Sequence, residues 1–239
     1  MRGYIKKLMK SYRELKSEAR ASLRGKWGEA VLATFVLTVF IVLAEVPSTF
    51  AGLTSFTHRF QSYVLQGNME AAWSLLGRAS AWSGSAMLIF IFVFGPVNIG
   101  FSNSFRLLLD GDKNLIDNMF KAGFGKYLHN VLGNFLVGLY ISLWSLLFIV
   151  PGIIKAFSYA MTPYILVEYP ELSVNEAIDK SRELMRGNKW RLFLLGLSFI
   201  GWILLCIPTF GIGTFWVGPY VETTIAAFYK DIKEQKSFA

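Results

Sequence analysis

The sequence predicts an all-α, polytopic membrane protein with about six transmembrane helices arranged as three repeated hairpins. Of its 239 residues, 54% are hydrophobic and only 17% are charged, and the mean hydropathy of +0.43 is too high for a water-soluble surface. Several stretches without charge approach the roughly 20 apolar residues that a helix needs to cross about 30 Å of hydrocarbon. Both observations make lipid the expected solvent.

The apolar stretches give six predicted spans, which form one transmembrane domain over residues 27–239. They cover residues 28–46, 85–109, 128–150, 152–167, 191–207 and 213–229. The first begins after the polar segment 1–26 and is followed by no small-residue cleavage site, so it is predicted to be a span and not a cleaved signal. The fourth is the shortest, with about 24 Å of helix. Tight bends are predicted at Pro47, Pro151 and Pro208.

Lys and Arg residues are unevenly divided between the two sides of this predicted topology. Of the 24 basic residues, 21 fall before residue 27, in 106–126, in 180–191 or after residue 229. Only Arg59 and Arg78, in the predicted outer loop 50–84, fall on the other side. Because basic flanks stay in the cytoplasm, both termini are predicted to be cytoplasmic.

An internal repeat supports the three hairpins. Each hairpin is entered through a basic and aromatic junction, at residues 24–27, 125–127 and 186–190. Each returning span then carries a proline that is predicted to kink its helix. The three kink positions are Pro96, Pro163 and Pro219. The alternative is that Pro, Gly and Trp collect at membrane boundaries without any repeat.

The first 26 residues are predicted to form a basic amphipathic helix on the cytoplasmic side. Apolar residues recur at three and four positions, and basic residues fall largely on the opposite face. The basic face comprises Lys6, Lys7, Lys10, Arg13, Lys16 and Arg20. Such a face suits anionic lipid headgroups, so the net charge of +8 predicts a lipid partner and no nucleic acid. The alternative is an ordinary positive flank of the first span.

Two further cytoplasmic helices are predicted between the hairpins. Ser173 and Glu176 have the spacing of a capping box, in which each side chain satisfies a backbone amide of the other residue. The helix that follows has balanced charges, which favours docking against other cytoplasmic helices over binding to headgroups. Residues 114–121 are predicted to form the second helix of this set.

The spans contain few polar groups, and Glu222 is the strongest candidate among them. It lies three residues after Pro219 and about 14 Å along the helix from residue 213, which places it near the middle of the bilayer. A carboxyl there must be protonated, paired or turned to a watery cavity. The candidate intramembrane polar site comprises Asn98, Lys155, Tyr164, Tyr220 and Glu222. Lys155 is a possible partner for Glu222, and the alternative role for the carboxyl is helix packing.

No catalytic signature is present. The sequence has no H-E-x-x-H, P-loop or G-x-S-x-G motif. The two carboxylates of Asp110 and Asp112 fall far short of a metal motif, and a solvated loop is favoured. Cys206 is the single cysteine, so no disulfide is possible within the chain. The protein is therefore predicted to be non-enzymatic, without metal or cofactor.

Most of the sequence resembles a known family, and the resemblance is densest after Leu132. The matching residues are Val150 to Ile154, Tyr159, Thr162 to Leu166, Glu176 to Ile178, Ser181, Leu197 to Trp202, Gly211 to Gly213, Gly218 to Tyr220, Thr223, Phe228 and Tyr229. They resemble the bacterial integral membrane family catalogued as domain of unknown function 975 (DUF975). More distantly, residues 176–193 are similar to the membrane domain attached to some glycerophosphodiester phosphodiesterases. The resemblance implies a multi-pass protein of the bacterial cytoplasmic membrane, with no established activity.

Two classes of function remain open from the sequence. The first is a non-enzymatic envelope protein that organises lipid, a membrane protein partner or a homo-oligomer. The second is a small-solute or ion transporter or pore that uses the polar site around Glu222.

Overall fold

The computed structural model describes residues 9–49, 53–77 and 90–237, and these residues form helices and turns without any strand. The helices that we number within those ranges are α1 Tyr12–Leu23, α2 Trp27–Thr49, α3 Leu53–Leu65, α4 Gly95–Leu109, α5 Leu115–Gly125, α6 Tyr127–Leu147, α7 Ile149–Tyr159, α8 Thr162–Glu168, α9 Val174–Leu184, α10 Lys189–Leu197, α11 Ile200–Cys206 and α12 Thr214–Ser237. A short π-helix, Phe90–Phe94, leads into α4. The prediction of an all-α protein is confirmed for this part of the chain.

Helix α1 is amphipathic as predicted, but its apolar face packs on protein. A capping box starts it, with the Ser11 amide donating to the Glu14 carboxylate at 2.6 Å. Leu15, Ala19 and Leu23 are fully buried, and the helix lies against α12. The apolar face of α1 is thus covered by protein, and the contact of its basic face with anionic headgroups stays a prediction. The chain then bends by 98° into α2.

Helix α4 is the central helix of the fold and makes a close approach to α5. A Cβ at Gly100 would lie 1.9 Å from the Met119 carbonyl oxygen, so only glycine fits there. A Cβ at Gly123 of α5 would lie 2.5 Å from the Pro96 carbonyl oxygen. Helix α5 contains the predicted cytoplasmic helix 114–121 except its first residue. Residues 85–89 of the second predicted span lie outside the described residues.

Helices α6, α7 and α8 form an antiparallel hairpin. A Cβ at Gly152 would lie 2.1 Å from the Ser145 hydroxyl, which shows how closely α6 and α7 meet near their turn. The fourth predicted span is interrupted at Ala160 and Met161, after which α8 begins. Length and composition still allow Ile149–Glu168 to count as one candidate membrane span.

Helix α9 runs back alongside this interruption. Its predicted capping box between Ser173 and Glu176 is present. The Ser181 hydroxyl donates to the Ser158 carbonyl at 2.9 Å and accepts from the Met161 amide at 3.2 Å, so it satisfies two backbone groups freed by the break. Its main contacts are with α6, α7, α8 and α12, which come from predicted spans, so the predicted docking against the other cytoplasmic helices is wrong.

The third hairpin differs from the prediction in its first arm. Residues 191–207 do not form one helix, because α10 and α11 are bent by 41° relative to each other. A turn over residues 207–213 then leads into α12, with Phe210 and Gly211 at positive φ angles of 49° and 84°. Helix α12 continues to Ser237, well past the predicted end of the sixth span.

Exposed apolar side chains are concentrated on α2, α6, α7 and α11. We call residues 143–154 and 200–216 the hairpin ends. Phe148 is 72% exposed and Phe210 is 98% exposed, which is unfavourable in water and expected in lipid.

The predicted outer loop is helical over α3 and residues 69–77. Helix α2 continues past the predicted bend at Pro47 to Thr49.

Candidate functional site

Three of the five predicted site residues line one cavity. Asn98 of α4, Tyr164 of α8 and Glu222 of α12 surround a volume of about 410 Å³, together with Ser102. The rest of the wall is mainly apolar and comes from α7, α10 and α12. We call this space the polar cavity. It is of the size and composition of a small-molecule site, with few polar groups set in an apolar wall.

Glu222 and Tyr164 form the polar centre of this cavity. The Tyr164 hydroxyl donates to the Glu222 Oε1 at 3.1 Å. The Tyr164 ring is almost fully buried and stacks on Tyr229 with 4.9 Å between ring centroids. The carboxyl group is therefore held by a rigid donor and faces a cavity. This arrangement serves either of its two predicted roles, since it can bind a ligand or fix the packing of α8 on α12.

The prolines position these elements in two different ways. Pro96 and Pro163 lie in the first turn of α4 and α8, where a missing amide hydrogen costs nothing. The Pro163 carbonyl accepts from the Asn103 amide at 2.8 Å, which ties α4 to the start of α8. Of these three prolines, Pro219 alone lies beyond the first turn of its helix, and the Thr223 hydroxyl donates to its carbonyl at 2.7 Å. The break before α8 and the proline of α12 flank the polar cavity.

Lys155 and Tyr220 lie away from the polar cavity. The Lys155 ammonium is 4.3 Å from the Trp144 ring centroid and makes no ion pair with Glu222. The proposed Lys155 to Glu222 pair is therefore a wrong prediction. Tyr220 packs edge-on against Phe199, with 5.2 Å between centroids.

The basic residues in and just before α1 contact protein more than the sequence suggested. Lys16 donates to the Ser198 carbonyl at 2.8 Å and lies 4.0 Å from the Phe199 ring centroid. The Arg20 guanidinium is 5.7 Å from the Tyr220 ring centroid, and the Lys10 ammonium pairs with Glu18. Arg13 is exposed, whereas Lys6 and Lys7 lie outside the described residues.

Sequence reasoning missed a group of ion pairs at the opposite end of the fold from the hairpin ends. Asp231 is 2% exposed and accepts from Arg191 at 2.8 Å. Glu168 accepts from Tyr229 and Lys233. Burial lowers the pKa of Lys233, but hydrogen bonds and attraction from Glu168 raise its pKa above the ordinary value overall. We call these five residues the ion-paired end.

The partners at the ion-paired end could not be matched from the sequence alone. Arg191 and Asp231 are 40 residues apart, and Glu168 and Lys233 are 65 apart. The one sequence signal for these pairs is that their acidic and basic residues lie next to apolar helix faces. Among the described residues, no group of three or more His, Cys, Asp or Glu side chains could hold a metal ion.

The length and apolar character of the helices indicate the class of protein. In the described part of the chain, α6 and the α7–α8 segment are long and apolar enough to cross a membrane, and two bent helix pairs raise the number of candidate spans to four. The molecule is thus an all-helical protein with the features of a membrane protein.

The comparison with known families then gives a match. The family model described as "Protein of unknown function (DUF975)" matches residues 146–236. The resemblance predicted from the sequence is confirmed over these residues, which run from the end of α6 to the last turn of α12. No curated protein and no solved structure matches the chain.

Proposed function

We propose that the protein is a non-enzymatic, multi-pass protein of the bacterial cytoplasmic membrane, and that it organises lipid or partner proteins with both termini in the cytoplasm. The contrast between the hairpin ends and the ion-paired end carries the proposal. Apolar side chains such as Phe148 and Phe210 are exposed at one end. Charged groups are paired at the other end. A protein with this polarity is suited to the boundary between lipid and water.

The proposal allows two arrangements of the hairpins in the bilayer. In the first, all six predicted spans cross, and the bends at Pro151 and Pro208 lie outside. In the second, the hairpin of α6 and α7 and the hairpin of α10, α11 and α12 are re-entrant, so that each enters and leaves on the cytoplasmic side. Lys16 favours the second, because its ammonium meets Ser198 in the middle of the fifth predicted span. A lysine at the bilayer centre costs about 3 kcal/mol on insertion scales.

Transport is the second candidate function, and the polar cavity is the observation that favours it. Glu222, Asn98 and Tyr164 line a space of about 410 Å³ beside a broken helix and a proline-containing helix. Broken helices surround the substrate sites of many transporters. The carboxyl group of Glu222 would bind a cation or proton.

Reconstitution separates the two functions. Purified protein in liposomes is tested for proton and ion flux, with Glu222→Gln as the test variant and the exposed Glu183→Gln as the matched control. Silent vesicles, together with a stable membrane partner or a defined lipid that co-purifies from native membranes, support the organising role. Flux that is lost only in Glu222→Gln supports transport and contradicts our proposal.

A further inference from the structure

Four basic side chains converge on a second cavity where α7, α9 and α10 meet. The cavity has a volume of about 440 Å³ and none of its lining residues is acidic. Its wall includes Lys155, Ser158, Arg182, Arg186, Lys189 and Trp190. We call it the basic cavity. It is separate from the polar cavity around Glu222, with which it shares no lining residue.

The fold brings these charges together from distant parts of the sequence. The hydrogen bonds of Ser181 fix α9 beside the break that follows α7, which carries Arg182 toward Lys155. The turn after α9 then passes through Gly187 at a φ of +84° and delivers Arg186 and Lys189 to the same place. The predicted topology instead put Lys155 inside the fourth span, with Glu222 as its possible partner.

Few groups within the chain offset this positive charge. Asp179 pairs with one nitrogen of Arg182 on the exposed side of α9, at 2.5 Å. Lys155 lies over the Trp144 ring. Arg186 and Lys189 form no ion pair within the described residues. Like charges held this close repel each other, so an anion in the cavity would stabilise the folded arrangement.

The position of the basic cavity indicates which anion it takes. Lys155 directly follows Ile153 and Ile154, which are exposed members of a hairpin end, and the Trp190 ring at the wall is also exposed. Tryptophan is enriched at the level of lipid headgroups. Arginine offers paired N–H donors that match the oxygens of a phosphate group, and lysine adds a point charge. A phosphate that is attached to an apolar tail satisfies both the cavity and the surface beside it.

We propose that the basic cavity binds the phosphate of an anionic phospholipid headgroup, through Lys155, Arg182, Arg186 and Lys189. The inference rests on the proposed membrane location of the protein and adds a defined lipid site to it. The phosphate is the recognised group, so a soluble phosphate is the other source of the same chemistry. The apolar hairpin end beside the cavity favours the lipid.

The test measures lipid binding to the full-length protein in micelles of a neutral detergent. Tail-labelled phosphatidylglycerol is the probe, unlabelled phosphatidylcholine is the neutral competitor, and inorganic phosphate and glycerol phosphate are the soluble competitors. The test variant is Arg186→Gln/Lys189→Gln. The control variant Lys113→Gln/Lys121→Gln removes the same charge from exposed positions around α5. A third variant, Arg186→Lys/Lys189→Arg, keeps the charge.

We expect the test variant to bind phosphatidylglycerol at least about tenfold more weakly, since it removes two of the four cations that face the phosphate. The control and charge-keeping variants should bind like the original protein. Displacement by the soluble phosphates at millimolar concentration would support a phosphate site with a soluble ligand. Equal binding by test and control variants, with both folded by circular dichroism, would overturn the site. If the protein itself does not fractionate with membranes, the proposed function fails instead.

Discussion

The hairpin ends and the ion-paired end differ in what their side chains contact. At the ion-paired end, α12 buries Asp231 and satisfies it with Arg191, with the Lys10 amide at 3.2 Å and with Gln235 at 2.9 Å. At the hairpin ends, the turns that follow α6 and α11 leave Phe148 and Phe210 uncovered. The difference shows that charge is paired internally on one side of the molecule, while the other side depends on its surroundings to cover apolar surface.

The largest effect is expected at the ion-paired end. Asp231→Ala leaves Arg191 largely buried without its partner, because that side chain is only 17% exposed. Removing one member of a buried pair costs about 3–5 kcal/mol. Unfolding by denaturing detergent, followed by circular dichroism, measures the loss.

The control for that experiment is Asp117→Ala. Asp117 pairs with Lys121 at 2.6 Å on the surface of α5, where both side chains are more than half exposed. Exposed pairs contribute little to stability. Equal destabilisation by the two substitutions would remove the distinction between buried and exposed charge on which the comparison depends.

Glycine substitutions test the difference between packed and uncovered helix surfaces. A methyl group at Gly100 would collide with the Met119 carbonyl, so Gly100→Ala should destabilise the fold by about 1–3 kcal/mol. Gly138 of α6 has no atom within 4 Å of the added carbon. Gly138→Ala should therefore stabilise the protein by up to about 1 kcal/mol through helix propensity. Thermal unfolding of both variants in the same detergent checks the sign of each change.

Removal of the Tyr164 hydroxyl group at the polar cavity should have a smaller effect on stability. Tyr164→Phe removes the donor to Glu222 and should cost about 1 kcal/mol of unfolding free energy. The control is Tyr140→Phe, which removes a 3.2 Å bond to Asn175 at an exposed site. Chemical unfolding of both variants is the measurement, and an equal loss would show that the cavity does not strengthen its hydrogen bond.

The smallest effect on stability is expected at the hairpin ends. Phe148→Ser should change the free energy of unfolding in detergent by less than about 0.5 kcal/mol, because the side chain packs on little protein. The same substitution should weaken association with liposomes, since it removes apolar area from lipid contact. Flotation of refolded protein with liposomes measures this. Unchanged flotation together with a large loss of stability would reverse the roles of the two regions.

Local features of this fold were predictable from the sequence, but long-range ones were not. The capping box at Ser173 and the helix over 114–121 depend on neighbouring residues and were predicted correctly. The bend near Ser198 was not predicted, because that stretch has no proline and no charged residue that would indicate a break. The Lys16 side chain that contacts Ser198 comes from 182 residues away in the sequence.

The polar cavity was predicted only in part, because the contacts between its residues are also long-range. Glu222 stood out because a carboxyl is rare in an apolar helix. Its partner Tyr164 was included in the predicted site and is the residue that contacts it. Lys155 was assigned to the same site by charge complementarity alone, and the fold of α9 draws it to the basic cavity instead. Pairing by charge cannot be predicted before the helices are placed.

The side of the membrane on which each region lies is the most direct test of the account. In a Cys206→Ala background, single cysteines at Glu183 and Phe210 are treated with a membrane-impermeant maleimide in inverted vesicles and in intact cells. We predict that the cysteine at residue 183 reacts only from the cytoplasmic side, and that the one at residue 210 does not react from that side. Equal reaction of both cysteines from the cytoplasmic side would contradict the insertion of the hairpin ends into lipid.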